Sequence, residues 1–164
     1  MKRIGTALAA AAALLILIAM GPVPAQAGTG NLNAPGGRCD VTFTTGAQTA
    51  EGPDAGAGFV DYRDLTNIAV DPAMGKSCVF AAIAGEFHVH WKADGSAQAI
   101  GNLTIPTALA GACSYSGTIN GIAAPTGFTM TTTPTALAKT AGGFLCPATF
   151  NLVNLFGNMS HFTF

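Results

Sequence analysis

Hydrophobic and polar residues alternate along several short stretches of the chain. The clearest stretch is 86–92, in which Phe87, Val89 and Trp91 share one face and charged residues and histidines share the other. A repeat of two residues is typical of a β-strand that is buried on one face, and it places Trp91 in the core. The same alternation occurs in 39–45, 113–120 and 161–164.

Further candidate strands are separated by turn signals. Asp94-Gly95, Asn120-Gly121 and Gly142-Gly143 are typical turn sequences, and one helical turn is conceivable in 134–139. We therefore predict an all-β fold, an antiparallel β-sandwich or small barrel of about eight to ten short strands. The additional candidate strands are 59–62, 65–70, 78–84, 97–105, 128–133 and 148–155.

The beginning of the chain has the three parts of a secretory signal peptide. Lys2 and Arg3 precede an apolar run over 4–20, and the small-residue site Ala25-Gln26-Ala27 follows that run. We therefore expect cleavage after Ala27 and a protein that is secreted or held in the cell envelope.

The predicted organisation has three parts. Residues 1–27 are the signal peptide, 28–37 are a flexible lead-in rich in Gly, Asn and Pro, and 38–164 are a single β-domain. No second apolar stretch is long enough to form a transmembrane helix in the mature chain.

All four cysteines lie in the predicted mature part: Cys39, Cys78, Cys113 and Cys146. An even number of cysteines in an exported chain indicates two disulfides, and none of the C-x2-C pairs typical of zinc sites is present. Three pairings are possible. We favour Cys39–Cys78 with Cys113–Cys146, because consecutive pairs would crosslink each half of the chain separately.

Charge is distributed unevenly along the chain. Lys139 is the only Lys, Arg, Asp or Glu in 96–164, where Thr, Ser, Asn and Gly provide the polar residues. Exposed sheet edges usually carry charges that prevent pairing with other sheets. The charge-poor half therefore favours association, either with copies of the same chain, giving a homo-oligomer, or with an apolar envelope or matrix surface.

Three histidines form the candidate metal site. His88 and His90 are two residues apart on one predicted strand, so they share a face about 6.5–7 Å apart. His161 lies on the polar face of the last predicted strand, and three neutral imidazoles would suit zinc or copper. The alternative is that all three are solvated histidines on polar strand faces.

Three stretches resemble a loose group of exported bacterial β-proteins that includes the alkane-oxidation-activator family. They are Cys39-Asp40-Val41-Thr42-Phe43-Thr44, Trp91 followed by Ile100-Gly101-Asn102-Leu103-Thr104-Ile105, and Cys113-Ser114-Tyr115-Ser116-Gly117-Thr118, with a late Cys146-Pro147. The resemblance covers most of 39–164, although the His-Val-His stretch and the aromatic C-terminus depart from it. It implies an extracellular, non-enzymatic protein with a surface or matrix role and contact with hydrophobic material, and it supplies no catalytic residues.

Composition and motifs argue against several other classes. Without Lys2 and Arg3 the chain has five basic and eight acidic residues, a formal charge of −3, which does not suit nucleic-acid binding. The G-x-S-x-G motif of many hydrolases is absent from the sequence. We therefore expect neither an enzyme nor a cofactor.

The sequence thus predicts a secreted, non-enzymatic structural or binding protein of the cell surface or extracellular space. Such a protein would self-associate or contact hydrophobic material. Two alternatives remain: a secreted metal-binding protein that uses the His-x-His pair, and a small outer-membrane β-barrel. The second rests on Phe162 and Phe164, because a terminal aromatic strand resembles the closing strand of such barrels.

Overall fold

A computed structural model describes residues 25–34, 37–50, 58–73, 78, 80–131, 136–152 and 159–164. Most of the predicted signal peptide, 1–24, lies outside these residues. The described ranges contain no helix with the length and apolar character needed to cross a membrane. Their strands are β1 (Gln26–Ala34), β2 (Gly37–Thr45), β3 (Asp61–Val70), β4 (Ala84–Trp91), β5 (Ser96–Thr107), β6 (Gly111–Ala124), β7 (Gly127–Met130), β8 (Ala136–Ala141), β9 (Thr149–Asn151) and β10 (His161–Thr163).

Eight of these strands close into an antiparallel barrel. Strands β1 to β6 pair in chain order, β6 pairs with β7, β7 with β10, and β10 with β1. The predicted all-β antiparallel fold is therefore confirmed, and of the two architectures left open it is the barrel that forms. Closure pairs strands of the ring on both sides, which removes most of the free edges that sheet-edge association would need.

Strand β6 belongs to the barrel and also pairs with a two-stranded flap. One edge of β6 pairs with β5 along most of its length, from Ser96↔Ile122 to Thr107↔Gly111. The other edge pairs with β7 near the end of β6 and with β8 near its start, and β9 then pairs with β8. We call β8 and β9 the flap; the free edge of β9 is only three residues long.

Apolar side chains fill the barrel from the alternating positions that the sequence predicted. The ring of Phe162 lies 5.6 Å from that of Phe43, 5.9 Å from that of Phe87 and 6.3 Å from that of Phe128, measured between centroids. All four rings are buried, and Trp91 is buried as predicted. Burying one large apolar side chain stabilises the fold by about 1.5–3 kcal/mol relative to leaving it exposed.

Glycines on neighbouring strands make room for these rings. A Cβ atom built on Gly28 of β1 would overlap the ring of Phe43, and one built on Gly121 of β6 would overlap the ring of Phe128. Asn120-Gly121 was predicted to be a turn, but it lies inside β6. Gly121 is needed there for packing against Phe128, not for chain reversal.

The predicted flexible lead-in 28–37 also requires correction, apart from 35–36, which lie outside the described residues. Residues 28–34 instead form most of β1, which pairs with both β2 and β10, and Leu32 is fully buried in the core. The small residues that suggested mobility give the Phe43 and Phe162 rings space against the backbone of β1.

Two other local predictions differ from the structure. Of the described residues of the candidate strand 78–84, only Ala84 belongs to a strand, and Val79 lies outside the described residues. Cys78 is instead joined to Cys39 of β2 by a disulfide. The stretch 134–139 forms no helical turn in its described residues: 136–139 belong to β8, and 134–135 lie outside the described residues.

Both predicted disulfides are confirmed, as Cys39–Cys78 and Cys113–Cys146. Cys39 lies near the start of β2 and Cys113 near the start of β6. Because successive strands β1 to β6 are antiparallel, β2, β4 and β6 start at the same end of the barrel. Both crosslinks therefore lie at this end, which we call the apolar end for the side chains described below.

We expect Phe162→Ala to lower the free energy of unfolding by about 3–5 kcal/mol, because it removes the ring that the other three contact. The measurement is urea unfolding with the disulfides intact. Phe144→Ala is the matched control, since Phe144 is 93% exposed and should change stability by less than about 0.5 kcal/mol. Equal stability of the two variants would contradict this account of the core.

Candidate functional site

His88 and His90 both lie on the outer face of β4, as their spacing predicted. The residues between and beside them, Phe87, Val89 and Trp91, point into the barrel. The outer face of β3 is adjacent, with Asp64 opposite His88 and Tyr62 opposite His90 in the strand register. The two imidazoles therefore lie against an acidic and an aromatic side chain on the barrel wall.

Tyr62, Asp64 and His88 form a hydrogen-bonded group. The Tyr62 hydroxyl donates to Asp64 Oδ1, and His88 Nδ1 lies 2.5 Å from the same oxygen and 3.0 Å from the hydroxyl oxygen. A carboxylate that holds one imidazole nitrogen is an arrangement that general bases use. Here the three side chains join β3 to β4 on the outer wall, and none of them lines the cavity described below.

His90 is covered by two aromatic rings, those of Phe59, which precedes β3, and of Tyr62 in β3. His90 is 1% exposed, and its ring centroid lies 4.9 Å from that of Tyr62 and 5.8 Å from that of Phe59. Thr49, which follows β2, exchanges backbone hydrogen bonds of 3.0 and 2.8 Å with Tyr62 and so lies beside this wall. Aromatic contacts on the outer wall therefore accompany the burial of His90.

His161 is not brought to the other two histidines. It lies on β10, and three strands of the ring separate β10 from β4 in either direction. Its imidazole contacts the side-chain amide of Asn31 on β1. A site that uses all three imidazoles is therefore not formed, and in the described ranges no group of three or more His, Cys, Asp or Glu side chains is placed to hold a metal ion.

The end of the barrel opposite the apolar end carries a cation. The guanidinium carbon of Arg63 lies 5.1 Å from the centroid of the Phe164 ring, and that ring stacks at 6.4 Å on Trp91. Burial lowers the pKa of Arg63, but an arginine remains protonated at neutral pH. This end combines a charge with aromatic rings.

The apolar end contains a cavity of about 650 Å³. No charged side chain lines it within the described part of the chain. Phe150 of β9 forms one wall, and its ring centroid is 5.4 Å from those of Phe80 and Tyr115. The other lining residues include Ile105, Leu109 and Leu145. This volume is within the range of about 300–1,000 Å³ that is typical of small-molecule sites.

The two disulfides fix the walls of this cavity. Cys113 lines it directly, and its partner Cys146 anchors the turn that carries Leu145. Cys78 precedes Phe80 by two residues, and the backbone N–H of Phe80 donates to Cys78 Sγ at 3.3 Å. Gly142 has a φ of +118°, and a Cβ there would overlap Cys146 Sγ, so the turn requires glycine at this position.

Apolar side chains also protrude around the opening of the cavity. Leu109, in the turn 108–110 between β5 and β6, is 87% exposed, and Leu145, in the turn 142–148 between β8 and β9, is 52% exposed. Phe144, beside Leu145, does not line the cavity. The site therefore consists of an apolar cavity with exposed apolar side chains at its rim.

The strand pattern in the sequence did not reveal this site. A signal was present in the two turns, since Leu109 and the pair Phe144-Leu145 occupy positions where polar residues are usual. The sparse charge over 96–164, where Lys139 is the only Lys, Arg, Asp or Glu, was the other signal, and the contact with apolar material that it predicts stays a prediction. Only barrel closure and the flap show that the two turns border the same cavity.

No protein-family model, curated protein or solved structure matches the chain.

Burial raises the pKa of Tyr115, because desolvation disfavours the phenolate. The unfolded chain therefore loses this proton at lower pH than the folded barrel. The contribution of Tyr115 to the free energy of unfolding is fully present below the ordinary tyrosine pKa of about 10. It is lost as the pH rises through the raised pKa of the folded protein.

We expect the free energy of unfolding to fall less in Tyr115→Phe than in the native protein when the pH is raised about one unit above the ordinary tyrosine value. Urea unfolding at neutral and alkaline pH measures this difference. Tyr62 is retained in both proteins as an internal control. An equal alkaline loss in the two would show that Tyr115 does not contribute.

Proposed function

We propose that the protein is a secreted or cell-envelope protein without enzymatic activity that binds hydrophobic material at the apolar end of its barrel. The observation that carries this proposal is the uncharged cavity of about 650 Å³ between the barrel and the flap. Its ligand would be a small neutral molecule or a single alkyl or acyl chain, since the described residues of the walls offer apolar contacts and no charged partner.

The chemistry of the residues that line the cavity supports binding rather than catalysis. The walls are mainly aliphatic and aromatic side chains, with the hydroxyls of Thr107 and Tyr115 as polar groups. The hydrogen-bonded group of Tyr62, Asp64 and His88 lies on the outer wall and does not border the cavity. A bound molecule would therefore be held by apolar contact area, which is non-directional and tolerates different chain lengths.

Export is supported by the signal-peptide pattern over 1–27 and by the two disulfides. Disulfides form and persist outside the reducing cytosol. Their position has a further use, because crosslinks at both sides of the cavity keep its walls in place before a ligand arrives. A preformed site loses less conformational entropy on binding.

Association through the surface of the charge-poor half is better supported than association through sheet edges. The barrel pairs the strands of its ring, and the described part of the flap ends in a free edge only three residues long. The rim, in contrast, carries Leu109 and Leu145 beside an open cavity. We therefore place contact with hydrophobic material at this rim.

A neutral fluorescent probe, N-phenyl-1-naphthylamine, tests the proposal on the exported, disulfide-bonded protein. We expect saturable fluorescence enhancement in the native protein, and about tenfold weaker binding in Leu145→Ser, which removes one apolar wall.

Ile122→Ser is the matched control for this measurement. Ile122 is 60% exposed on the part of β6 that is remote from the apolar end, so its loss should leave probe binding unchanged. Enhancement that does not saturate, or equal weakening by both substitutions, would contradict a site in the cavity.

A further inference from the structure

Two turns lie side by side at the apolar end and carry its most exposed apolar side chains. A Cβ atom built on Gly143 of one turn would lie 3.6 Å from the carbonyl oxygen of Ala110 in the other. Leu109 projects from the turn 108–110 and Phe144 from the turn 142–148, and both are almost fully exposed. The barrel thus presents two neighbouring apolar tips rather than a flat apolar face.

The backbone of both tips is held by internal hydrogen bonds. In one turn the N–H of Ala110 donates to Thr107 Oγ1 at 3.0 Å, and that hydroxyl donates to the carbonyl of Gly111 at 3.0 Å. In the other turn the N–H of Cys146 donates to the carbonyl of Gly143 at 3.1 Å. Polar backbone groups that are already paired cost less to move out of water.

Charge around the tips favours a neutral apolar medium as the partner. Within 96–164 the only Lys, Arg, Asp or Glu is Lys139. Its Nζ lies 3.5 Å from the carbonyl oxygen of Gly143 and 3.3 Å from that of Cys146, so it donates to the base of the turn. A protein partner would usually meet a rim of polar and charged groups, and the turns and strands that carry these tips supply no acidic side chain to such a rim.

We propose that Leu109 and Phe144 insert into the surface of a lipid bilayer, so that the barrel docks end-on with the opening of its cavity facing the lipid. The absence of acidic side chains and the single cation in 96–164 fit a zwitterionic surface, and the attachment should be insensitive to salt. This inference rests on the proposed function in one respect: the docked cavity would receive its apolar ligand from the lipid.

The test uses vesicles of phosphatidylcholine and the exported, disulfide-bonded protein. We expect flotation with the vesicles at low and high salt alike, and partition weakened by about ten- to a hundredfold in Phe144→Ser. Ile122→Ser should dock like the native protein. In Phe144→Trp the new indole should shift its emission to shorter wavelength on vesicle addition, while buried Trp91 supplies a constant background.

The same variants separate this inference from the proposed function. Phe144 does not line the cavity, so Phe144→Ser should bind N-phenyl-1-naphthylamine as the native protein does. Loss of vesicle docking with normal probe binding in this variant supports the inference.

Three results would overturn the inference while leaving the cavity proposal to its own test. They are an unshifted emission of Phe144→Trp, binding only to vesicles that contain anionic lipid, and a dimer in sedimentation that Phe144→Ser dissociates.

Discussion

The close fit between phenylalanine rings and glycines inside the barrel is the constraint on which the rest of the structure depends. An eight-stranded barrel has an interior just wide enough for side chains, so large residues on one strand require small ones on the next. Phe43 over Gly28 and Phe128 over Gly121 meet this requirement, and Phe162 joins the rings at the centre. The last described strand, β10, thereby closes the ring between β1 and β7.

The sequence contained enough information for most of the barrel wall and for both disulfides. Alternation in stretches such as 86–92 reports directly which face of a strand is buried, so Trp91 was placed correctly. Glycine was harder to interpret, because the same residue permits a turn, a mobile segment or a close contact. Gly28 and Gly121 serve close contact, which depends on a ring carried by the neighbouring strand. The choice of barrel over sandwich likewise depends on the pairing of β10 with β1.

The candidate site was predictable only in its general character. The sparse charge over 96–164, with Lys139 alone, predicts contact with apolar material, but it does not say where such contact would occur. Histidine spacing predicted correctly that His88 and His90 share a face, and said nothing about Asp64 and Tyr62, which come from another strand. The position of His161 on the opposite wall follows from strand order in the closed ring, and strand order is not visible in a local pattern.

The placement of both cystines at one end makes the barrel mechanically asymmetric. Cys39 and Cys78 stay tethered, as do Cys113 and Cys146, when backbone hydrogen bonds break. The opposite end, with Arg63, Trp91 and Phe164, contains neither disulfide and is held by the turns between strands and by non-covalent contacts. Opening fluctuations should therefore begin at the Arg63 end and spread toward the cystines, so amide hydrogens would exchange with solvent in a gradient along the barrel axis. In such partly opened molecules, the strands around the cavity would be the last part of the barrel to separate.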